Sequence, residues 1–86
     1  MKCVVCYLEN NLKLAGNLYV ELLNNLIERD IDILRMSDEL LVIDTPHVYV
    51  HFVADPNKLR GRRLDRIFRS ETINEVLNYI LQEEGM

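Results

Sequence analysis

The sequence predicts an α/β domain, a mixed β-sheet with flanking helices in the order β-α-β-β-β-(β)-α. Three observations predict it. Short apolar runs rich in Val and Ile recur at residues 2–8, 40–43 and 48–54, which are strand lengths. Two longer stretches, 12–29 and 73–81, repeat their apolar residues at three- and four-residue steps, the helical period. The chain has 86 residues, 49% of them apolar, which is enough for one core and not for two.

Lys2–Leu8 (KCVVCYL) does not alternate between apolar and polar, so it is expected to be buried on both faces, as in the middle of a parallel sheet. Cys3 and Cys6 make a C-x-x-C, but a strand turns residues three apart to opposite faces. A redox pair sits instead at a helix N-terminus, and zinc would need two more ligands where only His47 and His51 are available. Both cysteines are expected to be reduced core thiols, with Cys6 inert. Glu9-Asn10-Asn11 breaks the strand and offers helix N-caps. In the helix that follows, Ala15, Leu18, Tyr19, Leu22, Leu23, Leu26 and Ile27 form one face, with Glu21, Asn24, Asn25 and Glu28 mostly opposite. Its polar side is not basic, which favours a core helix over a membrane-surface one. Gly16 either costs the helix a little or marks a close backbone approach.

Ile31–Met36 is expected to be the second strand, Ser37-Asp38-Glu39 a turn, and Leu40–Ile43 the third strand. Asp44-Thr45-Pro46-His47 is a turn signal. Val48–Ala54 alternates cleanly, with Val48, Val50 and Phe52 against Tyr49, a half-exposed His51 and Val53. Leu40–Ile43 and Val48–Ala54 are placed to pair as an antiparallel hairpin. After the Asp55-Pro56-Asn57 break, Leu64, Ile67 and Phe68 suggest a short fifth strand, a helical turn being the alternative. Ser70 is the candidate N-cap of a last helix with the stripe Ile73, Val76, Leu77, Ile80 and Leu81, and Gly85 is its stop. Glu83-Glu84 reads as a solvated helix end.

No apolar run approaches the roughly 18 to 20 residues needed to span a bilayer, and the N-terminus lacks the long h-region of a signal peptide. A cytoplasmic location is therefore expected. There is no G-x-S-x-G, H-E-x-x-H, G-x-G-x-x-G or G-x-x-x-x-G-K-[S/T]. His47 and His51 on a strand would lie about 13 Å apart, too far to share a metal. No catalytic residue, metal site or cofactor is expected.

The charge is unevenly placed. Six of the ten Lys and Arg residues, but only one of the fourteen Asp and Glu residues, fall within 58–69. That segment is +5, and the rest of the chain −9, within an overall −4. Lys58, Arg60, Gly61, Arg62, Arg63, Arg66 and Arg69 are thus the candidate binding residues, on a loop suited to an acidic partner. A solvated loop pairing with the domain's own carboxylates is the plainer reading. An overall acidic chain of pI ≈ 5.0 favours a protein over a nucleic acid.

From Val4 to Phe68 the chain resembles the P-loop ATPase core of phage terminase large subunits and helicase-type proteins. KCVVCYL is similar to a core strand, LAGNLYVELLNNLIERDI to the helix after it, and LLVIDTPHVYVHFVAD to a hairpin. LRGRRLD resembles the loop before the acidic Walker B strand. The resemblance implies a truncated P-loop-NTPase-like domain of phage or prophage origin. Two departures limit what it implies. The phosphate-binding loop would precede Cys3, where only Met1-Lys2 stand, and the Asp-Glu expected after Ile67-Phe68 is replaced by Arg69-Ser70. The expected function is therefore that of a small non-catalytic phage accessory protein. It would bind a protein partner through the Arg-rich loop, in keeping with inhibition of a host or phage enzyme, with a homodimer plausible. The alternative is a nucleic-acid-binding module that sets the same arginines on phosphates, with Tyr49 or His51 as a stacking surface.

Overall fold

The first apolar run of the chain becomes an inner strand of the sheet, with a parallel neighbour on each side. A computed structural model describes residues 1–59 and 63–85. The elements are β1 (Lys2–Tyr7), α1 (Leu12–Glu28), β2 (Arg35–Ser37), β3 (Val42–Asp44), β4 (Val48–Val53), β5 (Arg66–Phe68) and α2 (Asn74–Glu83). The five strands form one mixed sheet in the order β2-β3-β4-β1-β5. β1 runs parallel to both its neighbours, while β2–β3 and β3–β4 are antiparallel. No helix among the described residues is long and apolar enough to cross a membrane.

The register sorts side chains by face. Val4 and Cys6 of β1 lie beside Val50 and Phe52 of β4, and beyond them are Ile43 of β3 and Phe68 of β5. This face makes one core with Ala15, Leu18, Tyr19, Leu22 and Leu26 of α1 and with Val76, Leu77 and Ile80 of α2. Both helices therefore cover the same side. Tyr19 also meets Phe52 edge-on, with ring centroids 6.3 Å apart.

The other face carries Cys3, Val5, Tyr49, His51, Val53, Val42 and Asp44. Val5, Val42 and Val53 are buried there although no helix lies over them. The cover follows from connectivity. The path from β1 through α1 to β4 crosses the helical face in one direction, and the path from β4 to β5 returns past β1 in the other. Crossovers between parallel strands keep one hand, so two that run in opposite directions lie on opposite faces. Accordingly the short 3-10 helix Pro56–Leu59 packs on β4, and Leu59 and Leu64 are half-buried.

Several elements differ from expectation in their bounds. The second strand occupies Arg35–Ser37 rather than Ile31–Met36. Ile31 closes α1 instead, its N–H donating to the Leu26 carbonyl, and its side chain joins the core. The third strand shifts from Leu40–Ile43 to Val42–Asp44, because Leu41 adopts a left-handed φ of +56° that belongs to a turn. The β3–β4 hairpin forms as expected, and residues 66–68 are strand, not helix. Asn11 caps α1 by accepting from the Leu14 N–H. Ser70 does not cap α2; its hydroxyl accepts from the Thr72 N–H, and the buried Ile73 stands at the cap position. Packing of Ile73, not a polar cap, sets where that helix begins. Ile27 is exposed rather than on the core face of α1, and a Cβ at Gly16 would meet nothing within 4 Å, so no backbone approach within the chain requires that glycine.

Candidate functional site

The basic segment is the return crossover and its continuation through β5. It leaves β4 at Asp55, whose carboxylate accepts from the Asn57 N–H at 2.9 Å and whose carbonyl accepts from the Lys58 N–H at 3.0 Å. That turn, with Pro56 fixing φ at its start, ends the strand. It reaches β5 at Asp65, which is tied twice to β1. The Cys3 N–H donates to Asp65 Oδ2 at 2.7 Å, and the Asp65 N–H donates to the Cys3 carbonyl at 2.8 Å. Asp65 thus anchors the far end of the loop; it precedes β5 rather than lying on it.

The described basic side chains fall in separate places along this path. Lys58 lies at the carboxyl ends of the parallel strands, on the rim of a cavity of about 410 Å³ that also touches Leu12, Leu40, His51 and Val53. Arg63 lies at the amino ends, around a second opening with Lys2, Cys3 and Asp65. Arg66 points to the helical face, its guanidinium 4.9 Å from the Phe68 ring centroid and 5.6 Å from that of Tyr79. Arg69 returns to the carboxyl end and sits 5.2 Å from the centroid of Tyr7, bordering an opening with Glu9 and Glu71. Arg60, Gly61 and Arg62 lie outside the described residues. Lys58, Arg63 and Arg69 thus border three different openings. A guanidinium over a ring face is held by cation–π attraction, and its N–H groups can still donate to an acceptor.

The 410 Å³ cavity lies at the carboxyl end of β4, between the segment before β3 (Glu39, Leu40 and Leu41), the approach to α1 (Asn10 and Leu12) and the turn after β4 (Asp55 and Lys58). Its walls are mostly apolar, and two residues with left-handed φ border it, Asn10 (+55°) and Leu41 (+56°).

Other polar groups are engaged structurally. Glu84, expected to be solvated, has a side chain only 7% exposed and accepts from the His47 backbone N–H at 2.9 Å and from His47 Nδ1 at 2.5 Å. Burial alone would raise its carboxyl pKa. The His47 ring and backbone donors, with the Thr45 hydroxyl and the His47 charge, outweigh burial and hold it below the usual glutamate value. His51 is 8% exposed, not half-exposed, under the crossover face. Cys3 and Cys6 lie on opposite faces, neither in a disulfide, and burial pushes the Cys6 thiol up to about 12. Among the described residues no group of three or more His, Cys, Asp and Glu side chains is placed to hold a metal ion.

Charge density made the basic segment legible from sequence. The pairing of Asp65 with Cys3, and of Glu84 with His47, joins residues far apart in the chain and left no local signal. No family model, no curated protein and no solved structure matches this chain.

Proposed function

We propose that this is a non-catalytic binding protein whose basic segment, 58–69, engages an acidic surface on a protein partner. One observation carries the reading. Six of the chain's ten Lys and Arg residues fall within 58–69, and the four described ones, Lys58, Arg63, Arg66 and Arg69, are all exposed. The Arg66 and Arg69 guanidinium groups are seated on aromatic rings. Arginines held this way are suited to paired hydrogen bonds with carboxylates. The burial of His51 and the half-burial of Tyr49 weigh against a base-stacking surface, and so favour a protein over a nucleic acid.

The resemblance to a truncated P-loop core fits a phage or prophage accessory protein that inhibits a host or phage enzyme by covering its surface. In support of a non-hydrolytic role, the position directly after β5 holds Arg69, seated on Tyr7, where an acidic Mg²⁺-organising side chain would be needed. The test compares a fluorescent glutamate-rich peptide with fluorescent single- and double-stranded DNA, each from low to physiological salt. Peptide binding that is lost in the Arg60/Arg62/Arg63→Ala variant is the expected result. Binding to DNA alone, falling steeply with salt, would replace this reading with the nucleic-acid one. A thermal upshift with millimolar ATP and Mg²⁺ would reopen the nucleotide-binding alternative.

A further inference from the structure

We infer that a second copy of this chain covers the β2 edge of the sheet and the adjoining side of α1, an assembly independent of the basic segment. Exposed large apolar side chains are not scattered here. Leu12, Val20, Ile27, Leu34, Met36 and Leu40 are all more than half exposed. At 100° per residue, Leu12, Val20 and Ile27 fall on one side of α1 together with the half-buried Leu23, beside the core stripe. Met36 pairs with Ile43, a helical-face core residue, so it faces the same way as α1, and the exposed Leu34 lies just before this strand.

Two openings tie the helix side to the sheet side. At one end Leu12 and Leu40 border the same cavity, and at the other Ile27 borders an opening with Ile31 and Ile33. Between them Tyr19 donates to Asp38 at 3.0 Å, holding the β2–β3 turn against α1. The result is an apolar belt along a 17-residue helix, about 25 Å long, next to a strand with β3 on one side only.

Three features select another copy as the occupant. An open strand edge offers unpaired N–H and C=O groups, and a two-fold axis pairs such an edge antiparallel with itself while setting both helices on one face of a continuous sheet. The exposed polar α1 positions nearest the belt are Lys13 and Asn24, and the carboxylates lie toward its ends, Glu39 at the opening with Leu12 and Leu40, and Asp30 and Asp32 at the one with Ile27. The middle of the belt is therefore apolar, and a two-fold that runs the helices antiparallel brings Lys13 toward the partner's end that carries Asp30 and Asp32. Gly16 lies within the same belt, with nothing of its own chain against it, and so leaves room for a neighbouring helix. The opposite edge, β5, is flanked by Arg63, Arg66 and Arg69, which oppose self-pairing.

The test is sedimentation of the purified protein from low micromolar to near-millimolar concentration, with three single variants at exposed positions. Wild type is expected to be a dimer. Val20→Asp on the helix and Met36→Asp on the strand are each expected to weaken it roughly 100-fold by placing a carboxylate in an apolar contact, with far-UV circular dichroism unchanged. Ile67→Asp, at the β5 edge, is expected to leave the dimer intact. A monomeric wild type throughout would overturn the inference, as would a dimer that survives either Val20→Asp or Met36→Asp, or one lost through Ile67→Asp. Binding of the glutamate-rich peptide by the Val20→Asp monomer would show the basic segment acting on its own, so the two proposals fail separately.

Discussion

Replacing Glu84 by Gln keeps the shape of the contact that joins the end of α2 to the β3–β4 turn and removes its charge. The carboxylate accepts two bonds from His47, one from the backbone N–H and one from the ring. A hydrogen bond to a charged group contributes about 1.5–3 kcal/mol. The His47 side chain is 63% exposed, so its share is screened toward the few tenths of a kcal/mol typical of surface pairs, and Gln still accepts from the backbone N–H. A net loss of about 1–2 kcal/mol follows, which for a domain of this size lowers Tm by roughly 5–15 °C. The sign with pH is fixed by the depressed carboxyl. Its stabilisation is present above the unfolded glutamate value of about 4.3 and is lost as pH falls through the lower folded value. Urea unfolding followed by circular dichroism should show wild type more stable than E84Q at neutral pH, with the gap closing in acid. An equal gap at about pH 7 and about pH 3, or none at neutral pH, would refute the reasoning.

Three other outcomes are expected. In Cys3→Ser protein the remaining Cys6 thiol, buried and raised to about 12, should resist Ellman's reagent at pH 8 until the protein unfolds; prompt labelling of the native state would contradict its burial. Tyr19, raised to about 12 by burial and then by Asp38, contributes stability that is complete below the unfolded tyrosine value near 10 and is lost as pH rises through the folded one. Tyr19→Phe should cost about 1 kcal/mol at neutral pH and flatten the alkaline limb of the stability profile measured by urea titration. Asp65→Ala should cost about 1–2 kcal/mol and speed hydrogen exchange at the Cys3 amide and along β5, while β3 and β4 amides keep their protection.

What could be read from the sequence was what repeats locally. The unbroken run in β1, the stripes of α1 and α2 and the alternation of β4 each carry their own period, and each element is found within a few residues of its expected bounds. The short strands β2 and β3 were misplaced because their limits depend on a left-handed Leu41 and on each other's three-residue ladder, which no window of sequence contains. Ser70 looked like a cap because capping chemistry is local, whereas Ile73 is placed by a core assembled from distant elements. For the candidate site, the density of arginines was visible, but their direction was not. That Arg66 turns to Phe68 and Tyr79 while Arg63 lies beside Cys3 follows from register, and register is a property of the whole sheet.

The place of β1 between β4 and β5 bears on how the chain reaches its native state. β2, β3 and β4 are neighbours both in sequence and in space, so that meander can form from local contacts. β1 has no such option. Its first residue pairs with Val48, and the bond that anchors its other flank, from Cys3 to Asp65, closes a separation of 62 residues. Loop entropy must be spent on both sides before β1 gains any ladder, which slows folding relative to helical domains of similar length. Until β1 enters, β4 presents an uncovered edge beside its own apolar face, and an extended segment of another molecule can take the same slot. Conditions that delay insertion of β1 should therefore favour aggregation over slow refolding, even though the finished sheet hides that edge completely.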